Sequence, residues 1–99
     1  MSDRFTKLAR GMPCQVRIPL VCNGNTETTV AAHYRSISLG AGVGIKPQSW
    51  LTAHSCSACH DAIDGRVKTN FDRNELRLMH AEAVMRTLLV LTQRGEIDL

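Results

Sequence analysis

Four cysteines in 99 residues, Cys14, Cys22, Cys56 and Cys59, constrain this chain more than any other feature. A chain this short forms one small domain, because two independent cores would need roughly 100 residues each. Such a domain removes only about 60–68% of its unfolded surface from water. Large rings are also few, with Phe5, Tyr34, Trp50 and Phe71 making up the aromatic 4%. Hydrophobic residues reach 43%, enough to fold, yet a core so poor in rings needs a staple. The cysteines are the obvious one. The start of the chain, MSDRFTKLARGM, is charged throughout and has no apolar h-region, so a cytoplasmic protein without a signal peptide is expected. No apolar run approaches the roughly 18 residues of a membrane span. In a reducing cytoplasm, paired cysteines point to metal or redox chemistry before disulfides. Secreted disulfide scaffolds, membrane proteins and large cofactor enzymes are set aside.

The densest chemistry is Ser55-Cys56-Ser57-Ala58-Cys59-His60-Asp61. Two thiolates separated by two residues can grip one ion from a tight turn at a helix N-terminus, where the dipole favours the thiolate form. Tetrahedral zinc needs two more ligands, and Cys14 and Cys22 are the remaining cysteines. Their spacing is wide, but Gly24 and the prolines make a broad loop feasible. A structural zinc on Cys14, Cys22, Cys56 and Cys59 is the reading; four separate buried thiols are the alternative. Cys56-x-x-Cys59-His60 also spells a c-type haem attachment site, but that chemistry follows export. A thioredoxin-like pair would need a strand and a βαβ order that the chain lacks.

The formal charge is +3, and the basic excess sits towards the N-terminus, where Arg4, Lys7, Arg10, Arg17 and Arg35 face only Asp3 and Glu27. This permits a nucleic-acid partner without demonstrating one. Along the chain, residues 1–29 read as an irregular lead. Thr28 to Tyr34 is β-prone and ends at His33-Tyr34-Arg35. Gly40, Gly42, Gly44 and Pro47 mark a loop, and Trp50-Leu51-Thr52-Ala53 reads as a second short strand. A short helix starts near Ser57 and stops at Gly65. A longer one covers about 71–95, with Asp72 and Glu75 at its start, an apolar stripe of Leu76, Met79, Ala83, Val84, Leu88 and Leu91, and Gly95 as its stop. That stripe is expected to bury the smaller elements. The broad run Leu88-Leu89-Val90-Leu91 leaves room for a homodimer contact.

His60 follows Cys59 directly and so points about 100° away from it on a helix, which removes it from the zinc tetrahedron and leaves it free to face a second ion. His33, closing the first strand, can oppose it. The order is a cysteine pair, a strand ending in histidine, a glycine-bearing loop, a second strand, then C-x-x-C-H opening a helix. That order resembles the HNH nucleases, also called the His-Me finger or ββα-metal fold. More narrowly, Val30-Ala31-Ala32-His33-Tyr34-Arg35 and Cys56 to Gly65 are similar to the small YbcO-type nucleases of lambdoid prophages, over nearly the whole chain.

The resemblance implies an α+β fold, with a zinc-stapled ββα-metal core at residues 28–64 and an added C-terminal amphipathic helix. It implies that His33 is the general base, a task that suits imidazole. It implies that His60 holds a catalytic Mg2+ or Mn2+, which would polarise the scissile phosphate of DNA. Arg35 could then clamp a phosphate oxygen. The chain departs from the pattern where many HNH enzymes have an acid before the base, since Ala32 stands there. Their middle asparagine would fall near Ser49 or Trp50. His54 or Asp64 could add a ligand, although His54 is expected on the exposed side of a strand; His80 reads as a structural histidine of the long helix. The competing functions are a non-catalytic zinc-stabilised nucleic-acid-binding module and a zinc-stabilised protein–protein adaptor.

Overall fold

In a computed structural model, the described residues are 4–34 and 50–97. Helix α1 (Arg4–Leu8) and a single 3-10 turn (Thr26–Thr28) precede strand β1 (Val30–His33); strand β2 (Thr52–Ser55), helix α2 (Ser57–Ile63) and helix α3 (Arg73–Gln93) follow. The strands pair antiparallel with Val30 opposite Ser55 and His33 opposite Thr52. Tyr34 N–H extends the ladder by one bond to the Leu51 carbonyl, at 2.8 Å. The central pair, Ala32 opposite Ala53, is buried. Alanine there lets α3 pack closely on the sheet.

Helix α3 begins where its sequence says it should. Asp72 Oδ1 accepts from Glu75 N–H at 2.8 Å, and Glu75 Oε1 accepts from Asp72 N–H at 3.0 Å, closing a capping box. Gly95, at φ 76, provides the left-handed turn beyond its end. The helix is far less amphipathic than the expected stripe implies, since Leu78, Met85 and Leu89 are exposed while its buried side carries Ala83, Val84 and Leu91 but also His80 and Thr87. These two polar residues are bonded. Thr87 Oγ1 accepts from His54 N–H at 3.0 Å and donates to the Ala83 carbonyl at 2.8 Å, so β2 is stitched to α3. A second stitch runs through Gln15, whose N–H donates to the His54 carbonyl at 2.7 Å and whose carbonyl accepts from the Arg86 guanidinium at 2.6 Å.

Two expectations need correction. The second strand is Thr52–Ser55 and not Trp50–Ala53; Trp50 is exposed, while the backbone groups of the residues after it bond to β1, to Gln15 N–H and to the Thr87 hydroxyl. His54 is fully buried and does not lie on an exposed side. Every residue of β2 is buried, because α3 covers the strand and the Gln15 segment occupies its free edge, so alternation between wet and dry faces never develops. Burial pushes the His54 imidazole below its ordinary pKa and keeps it neutral.

His80 behaves similarly. Its Nε2 lies 2.9 Å from the Ala32 carbonyl, and its ring meets Tyr34 edge-on at 5.1 Å. Burial lowers its pKa from 6.5, and the carbonyl contact offsets this only in part. A histidine held neutral in the fold stabilises it above pH 6.5; the stabilisation is lost as pH falls below that value, because the unfolded chain then binds the proton more readily. The melting temperature of the protein should therefore fall on acidification from pH 7 to 5, and less steeply in His80→Gln. Parallel pH curves for the two proteins would contradict a buried, neutral His80.

Candidate metal centre and adjoining cleft

Cys14 and Cys22 flank a tight loop whose turn is closed by Val21 N–H and Cys22 N–H, both donating to the Ile18 carbonyl at 3.1 and 2.9 Å. Cys56 is the N-cap of α2, and its Sγ accepts from Cys59 N–H at 3.4 Å. Arg17 N–H donates to Cys14 Sγ at 3.5 Å. These turns bring the four sulfurs within 4.8 Å of one another, with no disulfide among them. Cys56 Sγ and Cys22 Sγ are 3.9 Å apart, close to the separation of about 3.8 Å that Zn–S bonds of about 2.3 Å give in a tetrahedron. The hydrogen bond from Cys59 pulls the Cys14 thiol down to about 4 and raises Cys59 in turn, while burial raises Cys22. Four sulfurs so close together could all ionise only around a compensating cation. The donor set, the spacing and the backbone N–H donors fit a metal such as zinc.

On the other side of α2 lies a polar cleft of about 560 Å³. His33, at the end of β1, and His60, in the middle of α2, both line it. His60 is thus directed away from the sulfurs, as its position after Cys59 requires. Its Nε2 is 3.3 Å from Asp64 Oδ2, one helical turn on. Arg66 holds that carboxylate at 3.4 Å and Asp61 at 3.1 Å. Tyr34, Arg73, Arg77 and His80 complete much of the wall. Arg77 donates to Tyr34 Oη at 3.1 Å with its guanidinium over the ring at 5.1 Å.

The cleft therefore gathers His33, His60 and Asp64, and leaves His54 in the core. Arg35 and Ser49 lie outside the described residues. The arginines of the cleft were missed by sequence reasoning. Their signal was present: Arg73, Arg77 and His80 fall at i, i+4 and i+7 on one face of α3, but that face reads as solvated until β1 is packed beside it.

Residues 3–96 match the family model described as "Putative nuclease YbcO". The chain belongs to the YbcO family. It is 47% identical over 98 residues to "Putative nuclease YbcO" of Escherichia coli (strain K12), and equally to "Putative nuclease ybcO" of Enterobacteria phage 82, covering 98% of each protein. A solved structure, "Structure of a putative bacteriophage protein from Escherichia coli str. K-12 substr. MG1655", is similar with a TM-score of 0.76 at 42% identity. That likeness covers 92% of this chain and 99% of the other. YbcO membership carries the name of a nuclease family. Among the described residues no helix is long and apolar enough to cross a membrane.

Proposed function

We propose that this YbcO-family chain is a metal-dependent endonuclease of the HNH type that hydrolyses phosphodiester bonds in DNA. The reading takes residues 1–99 as one functional unit acting in the cytoplasm. The observation that supports it most is that His33, closing β1, and His60, on α2, line one polar cleft bordered by Arg66, Arg73 and Arg77. In this reading His33 accepts the proton of the attacking water. His60 would hold a divalent ion, and Asp64, whose Oδ2 lies 3.3 Å from its Nε2, would join it as a second ligand. Mg2+ or Mn2+ bound there would supply Lewis-acid stabilisation of charge on the phosphate and on the leaving 3′ oxygen. Arg73 and Arg77 approach from α3 and orient the phosphate; Arg35 follows the base in sequence and is assigned the same task. His80 secures the carbonyl of Ala32 and so fixes the strand immediately before His33.

Zinc on Cys14, Cys22, Cys56 and Cys59 is assigned a structural role, holding the loop of residues 14–22 against the start of α2. A homodimer contact is assigned to the outer face of α3, where Leu78, Met85 and Leu89 are exposed. Conversion of supercoiled plasmid to nicked circle by the zinc-loaded protein, dependent on added Mg2+ or Mn2+, tests the function. DNA binding with no cleavage under any divalent ion would favour a non-catalytic zinc-stabilised nucleic-acid-binding module, the reading to which Ala32 in place of an acid also points.

A further inference from the structure

The cleft continues beyond the two histidines. A second cavity of about 360 Å³ shares Ile63, Arg73, Arg77 and His80 with it, and extends over Val67, Lys68, Phe71 and Leu76. A third, of about 320 Å³, shares Lys68, Thr69 and Phe71 with the second and ends at Pro19 and Leu20. The three cavities adjoin through these shared walls and form a groove that follows the segment joining α2 to α3, from His33 and His60 to Pro19 and Leu20 in the loop between Cys14 and Cys22.

Its lining and its rim differ in chemistry. Ile63, Val67, Phe71 and Leu76 give it an apolar lining, while Lys68, Arg73 and Arg77 supply positive charge along its course once Arg66 is set against the Asp64 it pairs with. The acids nearby are committed elsewhere. Asp61 and Asp64 are paired with Arg66, and Asp72 caps α3. A stacked duplex offers phosphates to such a rim but no apolar face to such a lining. An unpaired strand offers both, because its bases can leave the stack and lie against apolar and aromatic side chains.

Leu20 points the same way independently. Its side chain is fully exposed, and its φ of 63 lies in the left-handed region that favours glycine. A leucine placed there contributes nothing to the core. It stands at the end of the groove as an exposed apolar side chain.

We propose that this groove takes unpaired nucleotides flanking the scissile phosphate, with Leu20 wedging the base stack at its far end, so that the preferred substrate carries a single-stranded stretch. The proposal deepens the nuclease reading of the cleft and rests on it. The test is fluorescence anisotropy of the zinc-loaded protein with a labelled single-stranded oligonucleotide and with the same sequence as a duplex. The single strand should bind about tenfold more tightly, the scale of stacking one base on a side chain. Val67→Glu and Leu20→Gly should each remove most of that preference. Both variants should fold, since Val67 is about half exposed and glycine relieves the left-handed backbone at residue 20; Leu20→Gly should melt no lower than wild type. A purely structural Leu20 would leave binding unchanged. Equal or tighter binding of the duplex, or a preference that survives Val67→Glu, overturns the proposal; a preference that survives only Leu20→Gly removes the wedge. Plasmid nicking without the single-strand preference would sink this inference alone, whereas absence of both nicking and nucleic-acid binding would sink the nuclease reading with it.

Discussion

Treating the zinc-loaded protein with a strong chelator, or replacing Cys56 by serine, should cost it its cooperative melting transition or lower it by at least about 15 °C. Cys56 does three things at once. It contributes a sulfur to the four-cysteine cluster, caps α2 through its bond from Cys59 N–H, and sits fully buried. Structural zinc binding is worth about 10–16 kcal/mol in small domains, comparable with or larger than the whole stability of about 5–15 kcal/mol expected of a fold this size. The core has little to replace it, since five of its buried members are alanines, Ala9, Ala32, Ala53, Ala62 and Ala83. Calorimetry before chelation, after it, and after zinc is restored should show loss and recovery. Melting unchanged by a chelator that removes all the metal would contradict the assignment.

The second large effect is on rate. His33→Ala should lower the initial rate of plasmid nicking by about 10²–10⁴, the range general-base catalysis commonly supplies, while leaving the melting temperature nearly unchanged. The side chain is only partly buried and ends its strand, so truncation opens no core cavity. The β1–β2 pairing and the Tyr34 N–H bond to the Leu51 carbonyl rest on the backbone and survive it. This separation of rate from stability distinguishes His33 from Cys56, whose loss should lower both.

Local chemistry made much of the fold legible. Asp72 with Glu75 three residues later marks the start of α3, Gly95 its stop, and Cys56-x-x-Cys59 the opening turn of α2, because each pattern acts within a few residues of itself. The likeness to YbcO-type nucleases, read at Val30 to Arg35 and Cys56 to Gly65, agrees with the family match over residues 3–96. What failed depends on distant partners. Thr52, His54 and Ser55 look like solvent-facing residues until Gln15 and Thr87 close on β2 from remote parts of the chain. Trp50 and Leu51 then draw the expected strand towards the N-terminus, away from its real position. The arginines of the cleft were hidden for the same reason, since nothing local to Arg73 and Arg77 in α3 tells that Tyr34 and His33 lie beside them. Leu20 carries no sequence signal at all; only its backbone angle and exposure single it out.

The central claim is that His33 and the His60 cleft cleave phosphodiesters, and plasmid nicking by wild type and His33→Ala, side by side in Mn2+ and with equal melting temperatures, tests it most directly. Nicking by wild type that drops at least about a hundredfold in the variant is the predicted result. Equal nicking by both proteins, or none by either, would contradict it.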